Sequence, residues 1–247
     1  MRGGLSIGLV IPALDEEQAI GRVVRSAPPW VDRIVVADNG SRDRTAVEAR
    51  AAGALVVVAD RRGYGYACLA GLDETRDCDV IVFSDGDASD DLSETALLVD
   101  PILDGTAELV VGSRVRFRGR AERGALTPVQ RSGNALACFL LRLRWGASFT
   151  DLGPFRAVRR EALDSLRMSE TGYGWTVEMQ AKALRARLPV GEVAVSYRKR
   201  IGTSKISGTL RGVVGAGSRI LWVVARQAFA HARPAGSTRG VHEEPPL

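Results

Sequence analysis

The most chemically pointed residues of this chain lie in Val80-Ile-Val-Phe-Ser-Asp85-Gly86-Asp87, continued by Ala-Ser-Asp90-Asp91. An apolar run of strand type stops at two carboxylates separated by one glycine. In open α/β sheets, ligands collect just beyond the carboxyl ends of the strands. Two carboxylates there, with no base beside them in the sequence, make a hard-oxygen site suited to Mg²⁺ or Mn²⁺. Such an ion keeps several waters and grips phosphate oxygens, so the pattern points to a diphosphate. A plainer reading is an acidic turn that caps the next helix, with Asp90 or Asp91 before Leu92, Thr95, Ala96 and Val99. That explains the second acidic pair but not the first. A calcium loop of the EF-hand type is excluded, because its sixth and twelfth positions are Asp90 and Ala96 rather than glycine and a carboxylate.

Other strand ends repeat the theme. The strand Leu5–Ile11 stops at Pro12 and leads to Asp15-Glu16-Glu17, an acidic cluster expected to open a helix carrying Ile20, Val23 and Val24. Arg33–Ala37 stops at Asp38-Asn-Gly-Ser41, and a helix over 44–52 is closed by Gly53. Leu55–Val58 is followed by Gly63-Tyr-Gly65, whose glycines allow backbone to approach a ligand closely. Carboxylates at the first two ends could hydrogen-bond a ribose or a base edge. After the Asp85-Gly-Asp87 strand, a helix runs from about Asp91 to Leu103, and Leu109–Val111 ends at Gly112-Ser-Arg114. Short strands alternating with helices predict a mostly parallel sheet covered on both faces.

Past Arg114 the rhythm changes. An Arg-rich connection to Leu126, expected to be mobile, precedes a helix from Pro128 to about Trp145. Thr150–Val158 passes from loop to strand, Tyr173–Glu178 enters a helix, Val190–Tyr197 is a strand, and a final helix holds Val213, Val214, Ile220, Leu221, Trp222 and Val224. That last apolar stretch is expected to cover the core, with a bilayer surface as the alternative. Residues 233–247, rich in proline, glycine and charge, are expected to be disordered.

The 247 residues carry a net charge of +5, but the bases are unevenly placed. Eight arginines and one acid, Glu122, fall between Arg114 and Arg144, and five bases without an acid fall between Ser196 and Arg211. Such segments suit nucleic acid, a membrane surface or phosphorylated small molecules. Sparse aromatics there argue against a single-strand nucleic-acid platform. Cys68, Cys78 and Cys138 have no CxxC spacing and read as reduced, buried residues of a cytoplasmic protein. His231 and His242 do not make a zinc site. No signal peptide and no bilayer-spanning run is expected, which leaves a protein that is at most peripheral to the membrane.

A nicotinamide-binding fold would place GxGxxG after the first strand, whereas here the glycines follow the third and Cys68 replaces the last. A phosphate-loop lysine motif is absent. Taken together, Pro12-Ala13-Leu-Asp-Glu16, Asp38-Asn-Gly-Ser41, Asp85-Gly-Asp87, Gly112-Ser-Arg114 and Arg200-Ile-Gly-Thr-Ser-Lys205 resemble family 2 glycosyltransferases. The closer likeness is to the soluble, dolichyl-phosphate-mannose-synthase-like branch, over about residues 5 to 225.

The resemblance implies an inverting enzyme of the GT-A fold: one domain over 1–232, with a nucleotide-sugar half (1–112), an acceptor half (113–232) and the 233–247 tail. It implies a nucleotide-sugar donor held by Pro12, Ala13, Glu16, Asp38, Gly63, Gly65, Asp85, Gly86, Asp87 and Arg114. Arg200, Ser204 and Lys205 would close over the diphosphate, and Asp87 with Asp85 would hold the metal. Arg131 and Asn134 match the start of the acceptor-facing helix, Arg131 also as a catalytic residue. Pro154 stands where relatives often carry serine in Ser-Gly-Phe-Arg, Asn39 replaces a usual second aspartate, and Gly86 replaces alanine between the paired aspartates.

Inversion requires in-line attack on the anomeric carbon while charge builds on the departing diphosphate. A hydroxyl acceptor needs a base, for which Asp151 and Glu178 are candidates, although Glu178 would serve equally as a helix brace. A phosphate acceptor such as polyprenyl phosphate needs none. The rival functions are a nucleotidyltransferase, whose Gly-rich basic loop after the first strand is missing, and a non-catalytic sugar-nucleotide sensor.

Overall fold

The structure is a computed structural model that describes residues 1–116, 120–202 and 210–229. Ser204, Lys205 and the 233–247 tail lie outside the described residues, as do the side chains of Val213 and Val214. In chain order the elements are β1 (Ile7–Ala13), α1 (Ile20–Arg25), β2 (Arg33–Asp38), α2 (Thr45–Ala51), β3 (Leu55–Val58), α3 (Tyr64–Asp73), β4 (Val80–Phe83), α4 (Thr95–Leu103) and β5 (Leu109–Ser113). There follow α5 (Pro128–Trp145), β6 (Arg156–Arg159), α6 (Arg160–Leu166), α7 (Trp175–Arg185), β7 (Val190–Ala194) and α8 (Leu210–Phe229).

The strands form one seven-stranded sheet in the order β3-β2-β1-β4-β6-β5-β7. All neighbours are parallel except β6, which runs antiparallel to both β4 and β5. Every residue of β1 and β4 is buried, as expected for central parallel strands with helices on both faces. Alternate β1 side chains serve opposite faces. Ile7, Leu9 and Ile11 join a core with α1, α2 and α4, while Val10 joins one with α3, α5, α6, α7 and α8.

Local chemistry accounts for the element boundaries that matter. Thr127 and Gln130 form a reciprocal capping box at the start of α5, Pro128 occupies its first turn, and Gly146 at φ 70° ends it. The helix after β4 starts at Thr95 rather than Asp91, because Asp91 caps a single 3-10 turn over Leu92–Glu94. The strand expected to reach Tyr197 ends at Ala194. Tyr197 instead donates its amide to Arg120 O and accepts from Glu122 N, which docks the described part of the Arg-rich connection. The acids Asp15-Glu16-Glu17 do not enter α1. They tie the loop after β1 to the loop after β2, with Glu16 N donating to Thr45 Oγ1 and Arg42 N donating to Asp15 Oδ1.

The antiparallel β6 has a consequence for the site. Its first residue, Arg156, pairs with Phe83 at the carboxyl end of β4 and with Val111 of β5. The loop entering β6, with Asp151, is thereby delivered to the same sheet edge as Asp85 and Asp87. The fully buried Arg156 guanidinium holds that loop to the start of α7, donating to the carbonyls of Leu152, Gly153 and Thr176.

Candidate active site

Two adjoining cavities of about 500 Å³ and 510 Å³ open at the carboxyl ends of the strands. They share Tyr64, Asp85, Asp87, Tyr173 and Arg200. The first is walled by the ends of β1 and β4 and the turn into α3, and it includes Pro12, Ala13, Glu16, Asn39, Gly63 and Gly86. The second is walled by α5 and α8, with Val129, Leu136, Leu152 and Ile220 supplying an apolar lining and Arg114 a charged one.

Asp85 and Asp87 form the partition between them. Asp85 accepts from the Tyr64 hydroxyl at 3.1 Å. Asp87 accepts from Ser89 N at 2.9 Å and from Ser89 Oγ at 2.5 Å on one oxygen, and its other oxygen faces Arg200 Nη1 at 3.3 Å. Burial first, and the charge of Asp87 next, push the Asp85 carboxyl above the usual carboxylate range. Burial and both neighbours also push up Asp90, whose Oδ2 accepts from Ser84 Oγ and Asp85 N. Asp90 is therefore a buried buttress of the loop and not the helix cap. A cluster of carboxylates under this strain attracts cations, and Arg200 answers it by bridging Asp87 and Glu16, the latter at 2.7 Å. Arg200 is carried in by two backbone bonds, Arg198 N to Ser89 O and Ile201 N to Asp87 O.

The donor set has the hard oxygens that Mg²⁺ or Mn²⁺ prefers. Among the described residues no group of three His, Cys, Asp or Glu side chains is placed to hold a metal unaided. The pair thus fits an ion that completes its shell with water and phosphate oxygens.

Several sequence expectations need relocating. Asp38 is buried behind the first cavity, where its carboxylate accepts from Ser41 N and shapes the turn. Its neighbour Asn39 faces the cavity instead and accepts from Gly63 N at 3.0 Å. Gly65 does not line the cavity. A side chain on either Gly63 (φ 150°) or Gly65 would collide with the backbone at Glu170 and Thr171, so these glycines let the Thr171-Gly172-Tyr173 wall close in.

Asp151 is fully buried and bound side-on to Arg114, and Asn134 joins α5 to the same loop through Thr150 O and Leu152 N. Glu178 is not at the site. It is fully buried in a brace where it accepts from Ser169 N, Ser169 Oγ and Glu170 N and pairs with Lys182 and Arg226. Arg131 is exposed and outside the lining of both cavities, because residues 129, 133 and 136 turn a different face of α5 to the second cavity. Sequence reasoning gave no site role to Tyr64 or Tyr197, and noted Asn39 only as a replacement for an aspartate. The signal for Tyr64 was its place between the two glycines. Burial and the neighbouring Asp85 push its hydroxyl well above the usual tyrosine range, so it stays a proton donor to that carboxylate.

Comparisons with known proteins identify the family and the fold. Residues 9–167 match the model of glycosyl transferase family 2. An uncharacterized glycosyltransferase of Mycobacterium tuberculosis is 37% identical over 213 residues, covering 85% of this chain and 94% of that one. A dolichyl-phosphate hexose transferase of Haloferax volcanii is 32% identical over 209 residues, covering 81% and 86%. Among solved structures, glucosyl-3-phosphoglycerate synthase of M. tuberculosis, crystallised with Mn²⁺, uridine-diphosphate-glucose and phosphoglyceric acid, superposes with a TM-score of 0.76 at 26% identity. The match covers 92% of this chain and 81% of that one. With the sheet order, the paired aspartates and the family match in agreement, this chain belongs to glycosyl transferase family 2 and is a glycosyltransferase of the GT-A fold.

Proposed function

We propose that the protein is an inverting, divalent-metal-dependent hexosyltransferase that moves a sugar from a nucleoside-diphosphate sugar to polyprenyl phosphate. The observation that carries this reading is the pair of cavities meeting at Asp85 and Asp87, one lined by the nucleotide-type loops and the other by apolar side chains plus Arg114.

The nucleoside lies in the first cavity against Pro12, Ala13, Glu16 and Asn39, and the diphosphate reaches Asp87 and Arg200. A divalent cation on Asp87 and Asp85 would supply Lewis-acid stabilisation of the departing diphosphate. Arg200 adds a fixed positive charge on the leaving side, and by family resemblance Ser204 and Lys205 do the same. The Tyr64 hydroxyl orients Asp85 toward ribose or sugar. An acceptor oxygen in the second cavity attacks the anomeric carbon from the face opposite the diphosphate. The new carbon–oxygen bond forms as the bond to the diphosphate breaks.

The acidic residues lining the second cavity are Asp85 and Asp87 themselves. Asp151 is engaged by Arg114 and Glu178 lies in its brace, which leaves neither placed to deprotonate a hydroxyl. An acceptor phosphate is already anionic, needs no base, and would meet the guanidinium of Arg114. The likeness to the phosphoglycerate-bound structures favours a second reading, a small phosphorylated acceptor with a hydroxyl nucleophile.

The test is a panel of labelled sugar-nucleotides with Mn²⁺ or Mg²⁺, offered polyprenyl phosphate or phosphoglycerate. Label in the lipid fraction supports the first reading. Label only in the soluble acceptor selects the second. Release of pyrophosphate from a nucleoside triphosphate and sugar phosphate would point to a nucleotidyltransferase, and binding without any turnover to a sensor.

A further inference from the structure

Helix α5 is apolar on two opposite faces. Ala137, Cys138 and Leu141 are buried in the core shared with α7 and α8. On the other side Val129, Leu136, Phe139 and Leu143, at helical spacing, are 47% to 74% exposed. Helix α8 repeats the arrangement beside it. Val223 and Val224 are buried in the same core, while Leu221, Trp222 and Phe229 are 40% to 85% exposed. The two helices pack side by side and are joined where the Arg144 guanidinium donates to Ala228 O. Their outward stripes therefore emerge on one surface, and at one end that surface meets the mouth of the acceptor cavity through Val129, Leu136 and Ile220.

Charge identifies what covers it. Neither helix contains an aspartate or glutamate, and α5 carries Arg131, Arg142 and Arg144. On a helical projection, Arg131 and Arg142 flank one side of the α5 stripe and Arg144 the other. The Trp222 ring lies beneath the guanidiniums of Arg219 and Arg226 at 4.3 Å and 4.7 Å, themselves anchored on Glu170 and Glu178. A second copy placed on this face would oppose arginines to arginines. Residues 230–247 offer only Val241 and Leu247 as large aliphatic residues, too few to cover the patch. No described helix is long and apolar enough to cross a membrane. Apolar stripes flanked by arginines and carrying an exposed tryptophan fit the boundary between anionic headgroups and acyl chains.

We propose that the outward faces of α5 and α8 form a docking surface for an anionic lipid bilayer, which presents the acceptor cavity to lipid. This deepens the acceptor reading and rests on it only for the direction from which a lipid phosphate arrives. It also changes the role expected for α8 from core cover alone to core cover on one face and lipid contact on the other.

The experiment is vesicle flotation of the full chain without donor or acceptor, using phosphatidylcholine vesicles with and without phosphatidylglycerol. The protein should float with the anionic vesicles, and less so as salt is raised. Phe139→Glu with Leu143→Glu, two residues outside both cavities, should weaken binding about tenfold or more while leaving donor hydrolysis unchanged. As a readout that does not depend on that variant, brominated lipid should quench tryptophan emission, and Trp222→Phe should remove most of the quenching. Wild type that floats with neither vesicle, or a double variant that floats equally well, overturns the proposal. So does a dimer in light scattering that the double variant dissolves without any vesicle binding. Vesicle binding accompanied by transfer only to a soluble acceptor would remove the polyprenyl-phosphate reading and leave this surface standing.

Discussion

Arg114 and Asp151 meet as a fork on a fork: Nε lies 2.9 Å from Oδ2 and Nη2 lies 2.7 Å from Oδ1, and the Arg114 amide adds a third bond of 2.7 Å to Oδ2. Burial alone would lower the arginine, but the adjacent carboxylate more than offsets this and holds its pKa above the usual range. Asp151 thus fixes a permanent cation at the second cavity. Asp151→Asn should leave a buried guanidinium unpaired, costing about 3–5 kcal/mol of stability in urea unfolding. Transfer should fall by about 10²–10³, as for loss of a fixed charge-stabilising donor. Arg114→Lys should fail similarly, because an ammonium cannot reproduce the paired bonds. If Asp151 were instead a base, its loss would affect a hydroxyl acceptor and spare polyprenyl phosphate, and Arg114→Lys would be mild.

Asp87→Ala should abolish metal-dependent nucleotide binding while leaving the fold intact. Among the described residues its carboxylate is held by Ser89 and Arg200 at the cavity wall. The expected loss is several kcal/mol of transition-state stabilisation, on the order of 10³-fold or more in kcat/KM. Titration calorimetry with a sugar-nucleotide and Mn²⁺ checks the binding. Full turnover by the variant, or by wild type in excess chelator, would refute the metal assignment.

The segment around Arg200 was expected to be a lid, and its described part lies across the Asp85-Gly86-Asp87 loop through Arg198 N and Ile201 N. A diphosphate entering the site would compete for Arg200 and tighten this cover. Amide exchange over 198–202 should slow on adding sugar-nucleotide and Mn²⁺. Unchanged exchange at proven saturation would argue for a fixed wall.

Glu178 gives a prediction about acid stability. Burial opposes its charge, but the Ser169 and Glu170 amides and Lys182 prevail and hold its carboxyl below the usual glutamate range. A depressed folded-state pKa contributes stability above the unfolded pKa and loses it as pH falls through the folded value. The urea midpoint should therefore drop in acid from about pH 5 downward, and Glu178→Gln should flatten that limb while lowering stability at neutral pH. A variant with wild-type stability at neutral pH and an active-site defect would restore Glu178 as a candidate base.

The parts of the site that could be read from the sequence were those carried by local pattern. Strand ends, the Asp85-Gly-Asp87 turn and the limits of α5 follow from apolar runs, glycines and caps within a few residues. What could not be read depends on distance in the chain. Asp151 and Arg114 are 37 residues apart, and Glu178 and Arg226 are 48 apart, so nothing local shows which carboxylates are already paired. Helical period marked apolar faces, yet α5 has two, and only packing decides which one meets the core. The reversal of β6 was likewise hidden, since a short apolar strand reads the same in either direction.

The position of β6 bears on how the molecule folds. A strand from later in the chain, β6, is inserted between β4 and β5, and each of its edges is hydrogen-bonded to one of them. The sheet therefore does not divide into an earlier and a later folding unit. A fragment ending near residue 112 would lack both β6 and β7, leaving one edge of β4 and both edges of β5 open to aggregation. Synthesis must proceed past Arg159 before the sheet under Asp85 and Asp87 can close. The enzyme should then gain both cavities in a single cooperative step, with one denaturation transition reported alike by sugar-nucleotide binding and by tryptophan emission.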